Sequence, residues 1–306
     1  MRGVALAAIL ATGFVAAGGA AQIYRGGADA VLLSVTVTDS AGHHVPGLKS
    51  EDFRIFEDGV LQEVTHFSSQ PEPISLSLLL DTSNSMELDN RMAMAQLAAS
   101  GFVSRLGPND VAQITDFDTT TKVLSDFTND KAVLEGAIRL ARAGGATRLY
   151  DTIYTALSDL KRLRSQRTEG EPRRQAIVLL SDGEDTNSLV EDEDVIELSK
   201  RCEVIVYAIA VSTKEPQATQ GWNQAKFVLQ SLTRETGGRV FFVTDPQQLP
   251  AIYIQVSEEI SNQYSVGYVS KNTKRDGLWR KISLQVVKGN ATPRTRTGYY
   301  APTVAK

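Results

Sequence analysis

The chain has 306 residues, with 32 basic and 36 acidic side chains and a formal net charge of -4. That length holds one large domain or two smaller ones, and a mildly acidic balance argues against general attraction to nucleic acid or anionic lipid. A single cysteine, Cys202, excludes an internal disulfide, so the fold must rest on its apolar core, with Cys202 as one small buried member.

Residues 1–21 read as a targeting segment. Arg2 gives a short positive end, Val4–Ala17 is almost wholly apolar, and Gly18–Ala21 is a run of small residues. This is the layout of a secretory signal peptide, with Gly19 and Ala21 suited to the cleavage site, and it predicts an exported protein, periplasmic or secreted. The apolar run is short for a membrane span and no other run is longer, so no span is expected in the mature chain.

Residues 22–72 form a β-rich flank. Leu33, Val35 and Val37 alternate with Ser34, Thr36 and Thr38, the period of a half-buried strand. Phe53 and Ile55 repeat the pattern, and Asp58–Gly59 predicts a hairpin with Val60–Phe67 as its returning strand.

From Pro73 to Asn262 strands alternate with helices. The expected strands are Ile74–Leu80, Val111–Phe117, Ala176–Leu180, Val204–Val211 and Val240–Val243, with a polar hairpin-like segment after Phe117. The expected helices are Met86–Leu106, Lys131–Ala141, Leu149–Leu163, Asp192–Arg201, Trp222–Thr236 and Leu249–Asn262. This alternation predicts an α/β fold: a doubly wound, mostly parallel sheet of about six strands covered on both faces. Residues 263–306 return to β patterning, with Tyr264, Val266 and Tyr268 and then Ile282, Leu284 and Val286 alternating. Each flank is short for a separate domain. The two are expected to pack together as a small β-sandwich, with the α/β unit inserted between them.

The chemistry gathers at strand ends. Ser75–Ser85 reads SLSLLLDTSNS, a buried strand that ends in Asp81, Ser83 and Ser85. A buried strand cannot keep these groups inside, so they must emerge at its C-terminal edge, where open parallel sheets bind ligands. Oxygen side chains at alternate positions suit a hard cation, Mg²⁺ or Ca²⁺. Thr147, in GGATRLYDTI before a helix, and Asp182, directly after Ala176–Leu180, could reach the same edge. The competing reading is helix capping by Asp81, Ser83 and Asp182.

These five positions, in this order, resemble the metal-ion-dependent adhesion site of the von Willebrand factor type A domain, over about residues 73–262. The resemblance implies that Ser83, Ser85 and usually Thr147 bind the ion directly. Asp81 and Asp182 would act mainly through waters or hydrogen bonds, leaving one coordination position for a partner's Asp or Glu. The flanks, LKSEDFRIFEDGVLQEVTHF and QYSVGYVSKNTKRDGLWRKISLQVV with RTRTGYYAP, resemble an exported bacterial subgroup with such domains, common in acidobacteria. Val266 and Ser270 depart from that pattern.

Enzyme readings find little support. His43, His44 and His66 all lie in the N-terminal flank, so no serine of the α/β unit has a local histidine base. A phosphoaspartyl loop needs a second carboxylate two residues after Asp81, and Ser83 stands there. There is no phosphate-binding or dinucleotide glycine motif. His43–His44 is expected to be solvated, Tyr150 to pack in the core, Trp279 to pack between the sheets, and the acidic residues 184–194 to begin a helix. The resulting expectation is a non-catalytic, cation-dependent, adhesion-type protein-binding module. The alternatives are an envelope assembly component with a fold-stabilising metal and, less favoured, a hydrolase.

Overall fold

The computed structural model describes residues 30–166, 173–181, 184–211 and 220–303. The predicted leader and Asp182 therefore lie outside the described residues. The first strands are β1 (Ala30–Thr38), β2 (Phe53–Glu57), β3 (Val60–Gln62) and β4 (Val64–Ser68). The alternating unit runs β5 (Ile74–Asp81), α1 (Arg91–Ser104), β6 (Val111–Phe117), β7 (Thr121–Thr128), α2 (Lys131–Leu140), α3 (Leu149–Ser165) and β8 (Arg174–Ser181). It continues through α4 (Asp192–Arg201), β9 (Val204–Val211), α5 (Gln220–Thr236), β10 (Arg239–Val243) and α6 (Leu249–Ser261). The chain closes with β11 (Tyr264–Val269), β12 (Trp279–Val286), β13 (Thr292–Arg294) and β14 (Gly298–Tyr300). Among the described residues no helix is long and apolar enough to cross a membrane.

The α/β unit is built on a six-stranded sheet of order β10-β9-β8-β5-β6-β7, parallel except for β7. Every residue of β5 is buried, as expected for a strand covered on both faces. Leu76, Leu78 and Leu80 pack into one core with α1, α2 and α6, while Leu79 joins a second core with α3, α4 and α5. The chain leaves β5 toward β6 on one side and later adds β8 on the other. Such a reversal opens a crevice at the carboxyl ends of the strands.

The flanks interleave. One four-stranded sheet has the order β13-β1-β11-β4 and the other β14-β12-β2-β3, so each combines strands from both ends of the chain. Val31, Leu33, Val35, Phe53, Ile55, Tyr264 and Val266 fill the space between them. The α/β unit is thus inserted into a β-sandwich. The two bodies meet where Gly237, at φ +84°, follows α5. A Cβ there would lie 2.5 Å from the backbone of Thr295, which glycine alone avoids.

Several local expectations need correction. The segment Val60–Phe67 is not one returning strand. β3 pairs with β2 across the Asp58–Gly59 turn, but β4 pairs with β11 in the other sheet. The chain changes sheets at Glu63, a sandwich corner. The helix expected from Met86 begins as α-helix only at Arg91. Asn84–Asn90 forms a 3-10 segment in which Asp89 and Asn90 adopt left-handed angles, φ 50° and 60°, a conformation that Asp and Asn tolerate. Trp279 lies against Tyr300 and Lys200 of α4 rather than between the sheets. His44 is half-buried and stacks on Tyr264 at 5.6 Å, and burial lowers its pKa.

Candidate metal centre

The DxSxS run begins on the last residue of β5. Asp81 is fully buried, and its two carboxylate oxygens are held by different elements. Oδ1 accepts the Ser83 amide at 2.8 Å, and Oδ2 accepts the Ser181 hydroxyl, from the end of β8, at 2.6 Å. A carboxylate bonded on both sides cannot rotate, so Asp81 sets the shape of the loop that follows. Ser83 leads the 3-10 segment, yet its side chain makes no capping bond. Its Oγ lies 2.9 Å from Ser85 Oγ instead. Capping by Ser83, the competing reading, is therefore not what its hydroxyl does.

The Thr147 loop is stitched onto this run by its backbone. Gly144 donates to the Thr82 carbonyl at 2.7 Å, Asn84 donates to the Gly145 carbonyl at 3.1 Å, and the Gly145 amide returns a bond to Asn84 Oδ1 at 3.0 Å. Gly145 has φ +93°, and a Cβ there would stand 2.6 Å from Thr119 Oγ1. That close approach lets the Thr119 hydroxyl accept the Ala146 amide at 3.0 Å. Thr147 is buried. Its amide donates to Thr186 Oγ1 at 2.9 Å, and its carbonyl accepts the amides of Thr186 and Asn187.

Four loops thus meet at one sheet edge, with Asp81, Ser83 and Ser85 on one of them and Thr147 on another. The fifth predicted position, Asp182, follows Ser181 in the chain and lies outside the described residues. Ser181, Asn84, Thr119 and Thr186 are the supporting residues that the sequence reading missed. Of these, only Asn84 stood inside a recognisable motif.

The donor chemistry suits a hard cation. Side-chain oxygens are the only donors in the set, and oxygen ligands of Mg²⁺ at ~2.0–2.1 Å stand about 2.9 Å apart along an octahedral edge. The Ser83–Ser85 hydroxyl spacing of 2.9 Å equals that edge. Among the described residues no three His, Cys, Asp or Glu side chains gather as a metal cage, so any ion here would rest largely on hydroxyls.

Neighbouring groups have structural duties. Asp185 caps α3, accepting the Leu149 amide at 2.8 Å, while Asp192, Glu193 and Asp194 occupy the first turn of α4. Asp185 and the acidic residues 192–194 therefore serve two helix starts, where negative charge is favourable. Tyr150 packs in the core beneath, and burial, with Asp185 and Asp192 nearby, pushes its pKa to about 12. Asp116, one residue before the end of β6, is buried with Oδ1 lacking a hydrogen-bond partner. Burial raises its pKa, Lys122 opposing and Asp118 adding to the shift.

Comparison with known proteins agrees with this architecture. Residues 76–184 match the family model of the von Willebrand factor type A domain. Among solved structures, a von Willebrand factor type A protein from Catenulispora acidiphila superposes with a TM-score of 0.53 at 12% identity, covering 91% of this chain and 76% of that one. Proximal thread matrix protein 1 from the mussel byssus, with a zinc-occupied MIDAS motif, gives 0.50 at 18% identity, over 67% of this chain and 49% of that one. The pilus adhesin SpaC from Lactobacillus rhamnosus GG gives 0.50 at 12% identity, over 82% and 48%. Likenesses at these identities speak to fold alone. A UPF0353 protein from Nocardia farcinica is 26% identical over 220 residues, 63% of this chain and 65% of that relative, so this chain spans less than two thirds of that relative's length. In its family match over residues 76–184, its doubly wound sheet and the DxSxS run on its central strand, this chain is similar to a von Willebrand factor type A domain.

Proposed function

We propose that this chain is a non-catalytic protein-binding module of an exported bacterial protein, docking an acidic side chain of its partner through a divalent cation. Ser83, Ser85 and Thr147 would hold Mg²⁺ or Ca²⁺ directly, with Asp81 and Asp182 shaping and charging the site. The observation that carries this reading is the Ser83–Ser85 hydroxyl pair, set by the buried Asp81 and joined to the Thr147 loop by backbone bonds. The zinc-occupied MIDAS motif of the mussel protein and the adhesin role of SpaC support it by analogy.

A bound cation would supply a positive point that hydroxyl ligands do not neutralise, and this favours a partner's Asp or Glu. The chain's own part is to hold the oxygens in place and to present the rim. Asn84 and the exposed Leu88 beside it lie on that rim. No histidine lies in the α/β unit, and Asp81 is held by Ser83 and Ser181, which supports the non-catalytic reading.

The burial of Asp81, Ser83 and Thr147 favours a second reading, a purely fold-stabilising ion in an envelope assembly component. One experiment separates the two. Magnesium and calcium titrations are followed by pull-down from envelope extract, with and without chelator, for the native chain and S83A/S85A. The docking reading expects the double variant to keep its fold but lose the chelator-sensitive partner. A chelator that lowers the melting temperature while the same proteins stay bound overturns docking in favour of the structural ion.

A further inference from the structure

A second opening lies at the other end of the sheet. A cleft of about 740 Å³ separates the N-terminal ends of β5, β8 and β9 from the β13-β1-β11-β4 sheet of the sandwich. Small-molecule sites typically measure ~300–1,000 Å³ and favour such domain interfaces. No residue of the DxSxS run or of the Thr147 loop contributes to its lining.

The lining has two characters. Leu32, Val204, Ile205 and Val269 supply an apolar floor. Leu32 alternates with the core residues Val31 and Leu33 along β1, and it remains 51% exposed. At one side Glu203 is bonded by two guanidiniums, Arg296 at 3.1 Å and Arg164. Two cations on one carboxylate leave a local positive excess. Burial disfavours the Glu203 anion, yet Arg296 and Arg164 outweigh this and hold its pKa below the ordinary value. Arg296 also donates to the Leu32 carbonyl at 2.9 Å, so the charged spot adjoins the apolar floor.

Among the described residues Arg164, Arg174, Lys200 and Arg296 line the cleft, against Glu72, Glu203 and Glu235. Arg174 is almost fully buried, and its nearest carboxylate, Glu72, stands 3.7 Å away. A neutral ligand would leave this surplus unanswered, and a small hydrated anion would leave Leu32 and Val269 facing water.

We propose that the cleft binds an anionic amphiphile. One apolar chain lies along Leu32, Ile205 and Val269, with a carboxylate or phosphate head against Arg164 and Arg296. This site is independent of the metal centre.

The test uses the full chain and four probes, dodecanoate, dodecyl phosphate, dodecanol and inorganic phosphate, measured by calorimetry. Dodecanoate or dodecyl phosphate, or both, should bind at least about tenfold more tightly than dodecanol, and inorganic phosphate should not bind. If only one anion binds, that result identifies the head group. Cys202, the sole cysteine of the chain, also lines the cleft, so the bound amphiphile should slow its alkylation by a maleimide. Arg164→Glu changes a half-exposed side chain. It should weaken the anionic probes about tenfold and leave dodecanol unchanged. Leu32→Trp should abolish binding of all probes, with circular dichroism verifying the fold of both variants. The proposal is overturned if neither anionic probe binds, if dodecanol binds equally well, or if folded Arg164→Glu binds as the native chain does.

Discussion

The two edges of the six-stranded sheet are closed in contrasting ways. At the C-terminal edge, short hydroxyl and backbone bonds join four loops, and Asp81 is fixed from both sides. At the N-terminal edge, long side chains bridge the α/β unit and the sandwich: Arg174 reaches the Gln263 carbonyl and Ser265 Oγ, Arg296 reaches Glu203, and Arg294 reaches Glu259. Short bonds leave little room and hold atoms in register. Arginine bridges span distance and leave a cleft. The same sheet therefore offers a rigid oxygen cluster at one end and an adaptable cavity at the other.

The largest disturbance should come from Leu78→Ala, in the middle of the central strand and fully buried. A loss of about 2–5 kcal/mol is expected in urea unfolding. Because the residue sits midway between the edges, intrinsic fluorescence and far-UV dichroism should shift together. Separate transitions would mean that the sandwich folds on its own and that the two edges are energetically uncoupled.

Ser181→Ala isolates the C-terminal edge. It removes the buried 2.6 Å bond to Asp81, with an expected cost of about 1.5–3 kcal/mol and weaker divalent-ion affinity in a calorimetric titration. Unchanged ion affinity would show that Asp81 does not need this support. Gly237→Ala isolates the other edge. The added Cβ meets the Thr295 backbone at a positive φ, a strain of about 1–3 kcal/mol. The melting temperature should fall while ion affinity stays constant, and a parallel loss of ion affinity would break the contrast between the edges.

The smallest effect concerns pH. Burial raises the Asp116 pKa above its ordinary 3.8, Lys122 opposing and Asp118 adding. The native state therefore binds this proton more tightly than the unfolded state, and stability falls as pH rises from 3.8 through the folded value. Asp116→Asn should leave the melting temperature nearly unchanged at pH 4 and raise it at pH 7. A gain that is equal at both pH values would assign the effect to packing instead.

Much of the α/β unit was legible because its strands are continuous apolar runs. β5 and β9 are buried on both faces, so pattern and burial coincide. The interleaved flanks were legible from their alternation, but strand switching at Glu63 was not, since both halves of Val60–Phe67 carry strand-like residues. At the C-terminal edge the oxygen-bearing side chains stood out by type. Their supports did not. Ser181 and Thr186 act through hydroxyl bonds to positions 100 and 39 residues away, and no local pattern encodes such partners. The cleft was invisible for a related reason. Its walls come from two bodies, and its volume depends on how they meet.

The interleaving of the flanks also fixes how the molecule carries mechanical load. The chain leaves the sandwich on β4 and returns on β11, and these strands are antiparallel neighbours, with Ser68 facing Ser265. A pull entering at β1 and leaving at β14 runs through the sandwich ladders, and the α/β unit hangs beside that path as a side branch. Tension in the flanks then leaves the oxygen cluster unstretched. Force reaches it only through whatever is docked there, and it passes into the sandwich across the β4–β11 seam, whose pairing shifts register beside Gly267.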